Sequence, residues 1–195
     1  RAIREAVGPE FDICIDVHGV PTTPMAVDFC NQVEEYRPFF VEEATQAEDL
    51  GELAHLRSQT SVPLATGERL HTKYEFSEIC ARHLVDYVQP DVIHCGGITE
   101  MRKIAAMADA FRIQVLPHNP NSRVCTFASV HFCMATPNAT LLEISGSEKP
   151  VWDDLFFGDA ITYIDGFAQP PDRPGLGIEL NEEVAARSPY VEKDW

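Results

Sequence analysis

The sequence predicts an α/β fold in which parallel strands alternate with helices, and three observations carry that expectation. Short apolar runs of strand length recur near 11–16, 37–42, 62–67, 87–92, 112–117 and 140–144. Longer stretches between them, near 23–36, 46–58, 73–84, 99–110 and 123–135, mostly carry apolar residues at helical spacing. The step from one run to the next fits a strand, a loop and a helix together, which is what a parallel crossover requires.

Residues 1–7 (RAIREAV) read as a helix that Gly8 closes, because glycine readily takes the left-handed stop at a helix end. FDICID, PFFVE and VPLATGE form the first three strand segments, and each ends on an acidic residue. The later segments lie in YVQPDVIHCGG, IQVLPHNP and LLEIS. Past the Gly96-Gly97 turn, Ile104, Ala105, Met107, Ala108 and Phe111 mark one apolar helix face. Six strands alternating with helices imply right-handed connections throughout. After residue 146 the alternation dissolves into WDDLFFG and QPPDRPGLG, which are rich in turn formers. The span 147–195 is therefore expected to be a tail that wraps the structure, not a further strand–helix unit. A closed eight-stranded barrel takes roughly 250 residues. Six strands do not close one, so the chain is expected to begin in mid-fold, as part of a longer protein.

Composition bounds the function. A length of 195 residues suits one domain or a portion of one. No apolar run approaches the ~20 residues that span a bilayer, and the charged opening segment does not read as a signal peptide. The six cysteines are scattered without a C-x-x-C pair, and several sit in apolar runs. Free thiols in a reducing, cytoplasmic setting are expected. A net charge of −16 argues against nucleic acid and anionic membranes as partners. An anionic small molecule stays open, because a bound divalent cation reverses the local field.

The chemistry lies at the strand ends. Asp16, Glu42 and Glu68 stand at equal intervals, which places three carboxylates at equivalent points on the C-terminal edge of a parallel sheet. Ligands bind at that edge. Converging carboxylates repel one another unless a hard cation lies between them, and an oxygen-only ligand set suits Mg²⁺. The next three strand ends continue at about the same interval with Asp91, His118 and Glu143. One acidic residue at a strand end is ordinarily a helix cap or a solvated loop residue; six polar, proton-active or metal-binding residues in register are hard to explain that way. Asp91 and His118 fall on adjacent strands, where a carboxylate fixes an imidazole's tautomer and raises its basicity, as a general base requires. His18 follows Asp16 by two places, and on an extended segment it faces the same cavity. His55, His71, His83, His94 and His131 share no such registration and are assigned no role. Glu43 and Arg69, each next to a proposed ligand, should point away from the metal if the backbone stays extended. Glu43 then either caps the next helix or pairs with Arg69 or another cation.

FVEEA, TGERL, YVQPDVIHCGGITEMRKIAAMA, LPHNP and PGLGIELNEE, in that order, resemble the C-terminal barrel domain of the enolase superfamily. The likeness is to the mandelate racemase subgroup and, within it, to galactonate dehydratase and related sugar-acid dehydratases. It implies part of a modified (β/α)7β TIM-type barrel without the N-terminal capping domain and the first two barrel strands. It also implies Mg²⁺ held by Asp16, Glu42 and Glu68, and an Asp91–His118 dyad that removes the proton α to a substrate carboxylate. Glu143 would hydrogen-bond near that carboxylate. A histidine at the position of His18 serves dehydratases as the acid that expels the 3-hydroxyl, which favours dehydration of a small sugar acid. Symmetric homo-oligomers are a further implication of the resemblance. The loop NPNSRVCTFAS replaces a Gly-Pro stretch usual in galactonate dehydratases, which leaves the identity of the sugar acid open. A racemase, epimerase or cycloisomerase of the same superfamily, and a catalytically silent metal-binding relative, are the alternative readings.

Overall fold

The computed structural model describes residues 1–145 and 154–187. Parts of the expected tail, 147–153 and 188–195, lie outside the described residues. A five-stranded parallel sheet forms in sequence order from β1 (Cys14–Asp16), β2 (Phe40–Glu42), β3 (Leu64–Thr66), β4 (Tyr87–Val88) and β5 (Gln114–Val115). Its register pairs Asp16 with Glu42, Glu42 with Ala65, Ala65 with Tyr87 and Tyr87 with Gln114. The sixth strand expected near 140–144 does not form; a single parallel bridge joins Val115 to Ala139, just before that run. The Val115 N–H donates to the Asn138 carbonyl at 2.8 Å and the Glu143 N–H to that of Pro117 at 3.4 Å. The chain thus follows β5 but touches it too sparsely to form a ladder.

The helices are α1 (Ala2–Val7), α2 (Thr23–Val33), α3 (Leu50–Gln59), α4 (Lys73–Ala81), α5 (Gly97–Ala110) and α6 (Arg123–Met134). Local chemistry sets their starts. Pro24 lies in the first turn of α2, where its missing N–H costs nothing. The Asp49 side chain accepts from the Gly51 and Glu52 N–H groups at 2.8 and 3.1 Å, so α3 starts at Leu50 and not near 46 as its apolar spacing suggests. At the other end of the series, Gly8 ends α1 with φ 80° and donates its N–H to the Arg4 carbonyl.

Side chains alternate across the sheet. Val41, Leu64, Val88 and Val115 point outward and, with Leu56, Phe76, Ile79, Met101, Ile104 and Phe132 of the helices, form the main core, each no more than 2 % exposed. Phe40, Ala65 and Leu116 face the concave side with Phe39 and Tyr87. At ~1.5–3 kcal/mol for each fully buried large apolar side chain, the outer layer is the dominant stabilising feature. Beyond 153 the chain forms two antiparallel pairs, β6 (Phe156–Gly158) with β9 (Ile178–Leu180) and β7 (Thr162–Ile164) with β8 (Phe167–Gln169), then α7 (Glu182–Ala185). This segment packs on α6 through Ile161, Ala168, Leu176 and Ile178 against Phe127 and Val130. All six cysteines are free thiols. Among the described residues no helix is long and apolar enough to cross a membrane.

Candidate active site

Parallel strands carry their C-terminal ends to one edge, so the residues at and just past those ends converge. Asp16 and Glu42 are the last residues of β1 and β2. Glu68 stands two residues past β3, while Asp91 and His118 each stand three past β4 and β5. Glu143 lies on the segment beside β5.

The strongest link is between Asp91 and His118. The Asp91 side chain is fully buried, and its Oδ2 accepts from His118 Nδ1 at 2.8 Å. Asn121 Nδ2 donates to the same oxygen at 2.7 Å, the Ile93 N–H donates to Oδ1 at 2.9 Å, and the Cys125 thiol approaches Oδ1 at 3.7 Å. Burial pushes the Asp91 carboxyl up, but the hydrogen bonds from His118 and Ile93 and the charges of His118 and His94 outweigh it and hold the group below the usual range. His118 moves the other way: burial opposes its charge, yet Asp91, Glu68 and Glu143 raise its pKa. With Nδ1–H held by Asp91, Nε2 of the neutral ring carries the lone pair and faces Glu68.

Two imidazoles flank one carboxylate. His118 Nε2 is 3.3 Å from Glu68 Oε2, and His18 Nδ1 is 3.5 Å from Glu68 Oε1 and 3.4 Å from Asp16 Oδ2. His18 reaches this position through a turn and not along an extended strand. Its φ is 54°, and its N–H donates to Asp16 Oδ1 at 2.7 Å. The backbone at Glu43 likewise departs from the extended expectation, with φ 45°. Left-handed residues other than glycine cost ~1–3 kcal/mol each and cluster at functional sites. The Glu43 carboxylate is fully buried and accepts from the Thr66 hydroxyl and from the Gly67 N–H at 3.0 Å; Arg69 Nε lies 3.8 Å from its other oxygen. Of the two roles expected for Glu43, Arg69 pairing holds by geometry, while Asp49 supplies the helix cap.

The carboxylates at the first three strand ends suit a cation in their chemistry. Burial pushes the Glu42 carboxyl up to about 7 despite a hydrogen bond from Gln89, and the charges of Asp16, Glu143 and Glu68 add to the rise. Uncompensated negative charge of this kind, offered by oxygen donors alone, fits a hard divalent ion. As the side chains stand, no three His, Cys, Asp or Glu groups among the described residues are gathered closely enough to cage one. The His18 ring, lying within reach of both Asp16 and Glu68, occupies part of that space.

Glu143 Oε2 accepts the Asn119 N–H at 2.8 Å, and the buried Asn119 side chain donates to the Glu143 carbonyl at 2.9 Å. The roles of Asn119, Asn121, Cys125 and Gln89 were not foreseen from sequence. All four lie in connecting segments or at a helix start, where no periodicity marks a side chain's direction.

Comparison with known proteins identifies the family of the fold. The family described as Enolase C-terminal domain-like matches residues 1–184. A D-galactonate dehydratase family member of Streptomyces bingchenggensis is 40% identical over 191 residues, covering 97% of this chain and 46% of the relative. The D-galactonate dehydratase of Xanthomonas euvesicatoria pv. vesicatoria is 37% identical over 198 residues, covering 99% and 52%. In structure, a mandelate racemase/muconate lactonizing enzyme-like protein from Rubrobacter xylanophilus superposes with a TM-score of 0.89 at 38% identity, covering 98% of this chain and 48% of that one. The chain spans about half the length of the relatives it matches.

Proposed function

We propose a function from one premise: this chain belongs to the Enolase C-terminal domain-like family. It supplies the barrel side of a Mg²⁺-dependent sugar-acid dehydratase that acts on D-galactonate or a close relative. The observation that carries the reading is the pair of imidazoles on either side of Glu68, one of them held by a buried aspartate. Dehydration of a 2,3-dihydroxy acid needs one group to take the α-proton and a second to protonate the departing hydroxyl.

Asp16, Glu42 and Glu68 are the residues that would hold the metal. Bound there, Mg²⁺ supplies electrostatic stabilisation of the charge that builds up on the substrate carboxylate. Asp91 fixes the Nδ1–H tautomer of His118, so Nε2 is the atom that accepts the proton from C2. The C2–H electrons move into the carboxylate, giving an enediolate. His18, protonated, gives its proton to the 3-hydroxyl, which leaves as water as the C2–C3 double bond forms. The resulting enol becomes a 2-keto-3-deoxy acid. One water is lost and no electron is transferred to an acceptor. Glu143, placed by Asn119, would meet the carboxylate end of the substrate. The 119–125 loop, which carries Asn121 to Asp91, borders the same space and is where we place discrimination among sugar acids.

The test is incubation of the protein in its natural full length with Mg²⁺ and a panel of aldonic and aldaric acids, detecting 2-keto-3-deoxy products as semicarbazones. A strong positive is expected with one acid. A negative panel accompanied by α-proton exchange in deuterated water would overturn dehydration in favour of racemisation or epimerisation.

A further inference from the structure

We propose that Arg69 is a positioning residue that holds the His18 turn against the carboxylate cluster, with the buried Glu43 carboxylate as its seat. The inference rests on the reading that His18 delivers the proton in elimination.

The turn after β1 closes on itself through the Val20 N–H to the Val17 carbonyl at 3.1 Å and the His18 N–H to Asp16 Oδ1 at 2.7 Å. This leaves the His18 and Gly19 carbonyls to partners from elsewhere. His18 and Gly19 are consecutive left-handed residues, at φ 54° and 64°. The groups that fix them come from the next two strand ends. Arg69 Nη2 donates to the His18 carbonyl at 2.8 Å, the Gly19 N–H donates to the Glu43 carbonyl at 2.6 Å, and the Gln46 side chain donates to the Gly19 carbonyl. A Cβ on Gly19 would run into Arg69 Nη1, so the guanidinium lies directly against the bare backbone.

Arg69 is itself anchored. Its Nε is 3.4 Å from Glu68 Oε1 and 3.8 Å from Glu43 Oε2. Glu43 Oε2 is buried without a hydrogen bond, while its other oxygen is held by Thr66 and Gly67. A planar guanidinium with donors in several directions can address Glu43, Glu68 and the His18 carbonyl together, which a lysine ammonium on a flexible stem cannot do as well. Arg69 thus links the turn bearing His18 to Glu68, the carboxylate both imidazoles share. Losing it would free His18 while leaving the Asp91–His118 dyad in place, because that dyad is held by its own 2.8 Å contact past β4 and β5 and Arg69 reaches Glu43, Glu68 and the His18 carbonyl instead.

The test uses Arg69→Met in the full-length protein, with two readouts. Amide hydrogen exchange across Val17–Val20, read by mass spectrometry, should quicken about tenfold, the equivalent of one hydrogen bond to a charged group. With a sugar acid that the wild type dehydrates, α-proton exchange should stay within about threefold while product formation falls about tenfold or more, since the two steps use different proton carriers. Unchanged amide protection, or equal loss in both steps, overturns the proposal. If the wild type dehydrates nothing, the dehydratase reading fails, and amide exchange alone decides the positioning role. Arg69→Gln, which keeps a side chain at the position but removes the guanidinium, serves if Arg69→Met does not fold. The same loosening is expected there, and its absence overturns the proposal.

Discussion

Replacing Asp91 with asparagine changes one atom and tests the centre of the site. The carboxylate is fully buried and accepts hydrogen bonds from His118, Asn121 and Ile93 at 2.7–2.9 Å. An amide offers one oxygen. If that oxygen keeps His118 and Asn121, the new NH₂ faces the Ile93 N–H, and a buried donor is left without an acceptor. Losing a hydrogen bond to a charged acceptor costs ~1.5–3 kcal/mol and an orphaned buried donor ~1–3 kcal/mol, so Asp91→Asn should destabilise the fold by about 3 kcal/mol. In a domain of this size that lowers the melting midpoint by roughly 6–12 °C.

The pH dependence of that loss has a definite shape. The Asp91 pKa is lowered in the folded state, so its contribution is present above the ordinary value of 3.8 and is lost as pH falls through the depressed one. The His118 pKa is raised, so its contribution is complete below 6.5 and is lost as pH rises through the higher folded value. The gap between wild type and Asp91→Asn should therefore be widest between pH 3.8 and 6.5 and narrow on both sides. In the same variant, α-proton exchange into deuterated water, followed by proton NMR, should fall ~10²–10⁴-fold, because the base loses its orienting carboxylate. Exchange within threefold of wild type, or a stability gap that does not move with pH, would refute the dyad as the proton-removing unit.

Two further outcomes are expected. His18→Asn should suppress product formation while leaving α-proton exchange measurable; loss of both together would mean that His18 is structural or shares the base role. Glu68→Gln should weaken Mg²⁺ binding by calorimetry, and chelation by EDTA should abolish wild-type turnover until Mg²⁺ is restored. Unchanged affinity would remove Glu68 from the ligand set, and turnover after complete metal removal would contradict the ligand triad.

Much of this site is legible before any coordinates, because it depends on period. The equal spacing of Asp16, Glu42 and Glu68 follows from repeated strand–helix units, and the structure carries all three toward one edge even though Glu68 stands beyond its strand. The Asp91–His118 contact follows from adjacency of β4 and β5. Period says nothing about turns, and there the expectations fail. His18 faces the cluster, but through a left-handed residue whose N–H is held by Asp16. Glu43 bends inward to serve Thr66 and Gly67. Asn121 and Cys125 reach Asp91 from the segment beyond β5, where nothing in the residue order announces the direction of a side chain. The 140–144 run has the composition of a strand, yet the one bridge to β5 falls at Ala139, just before it, and the run itself stays irregular.

Gly67 ties the interior to the chemistry in a way that matters for anyone redesigning this protein. It sits at φ 143°, one residue before Glu68, and a methyl group there would come within 2.8 Å of the Phe76 ring and 2.9 Å of the Gln89 nitrogen. Phe76 is wholly enclosed in the outer core. The backbone that presents Glu68 therefore rests directly on an aromatic ring of α4. A library that trims or rotates Phe76 to gain heat resistance would also shift the floor beneath Glu68, so gains in robustness and losses in turnover at position 76 should be inherited together.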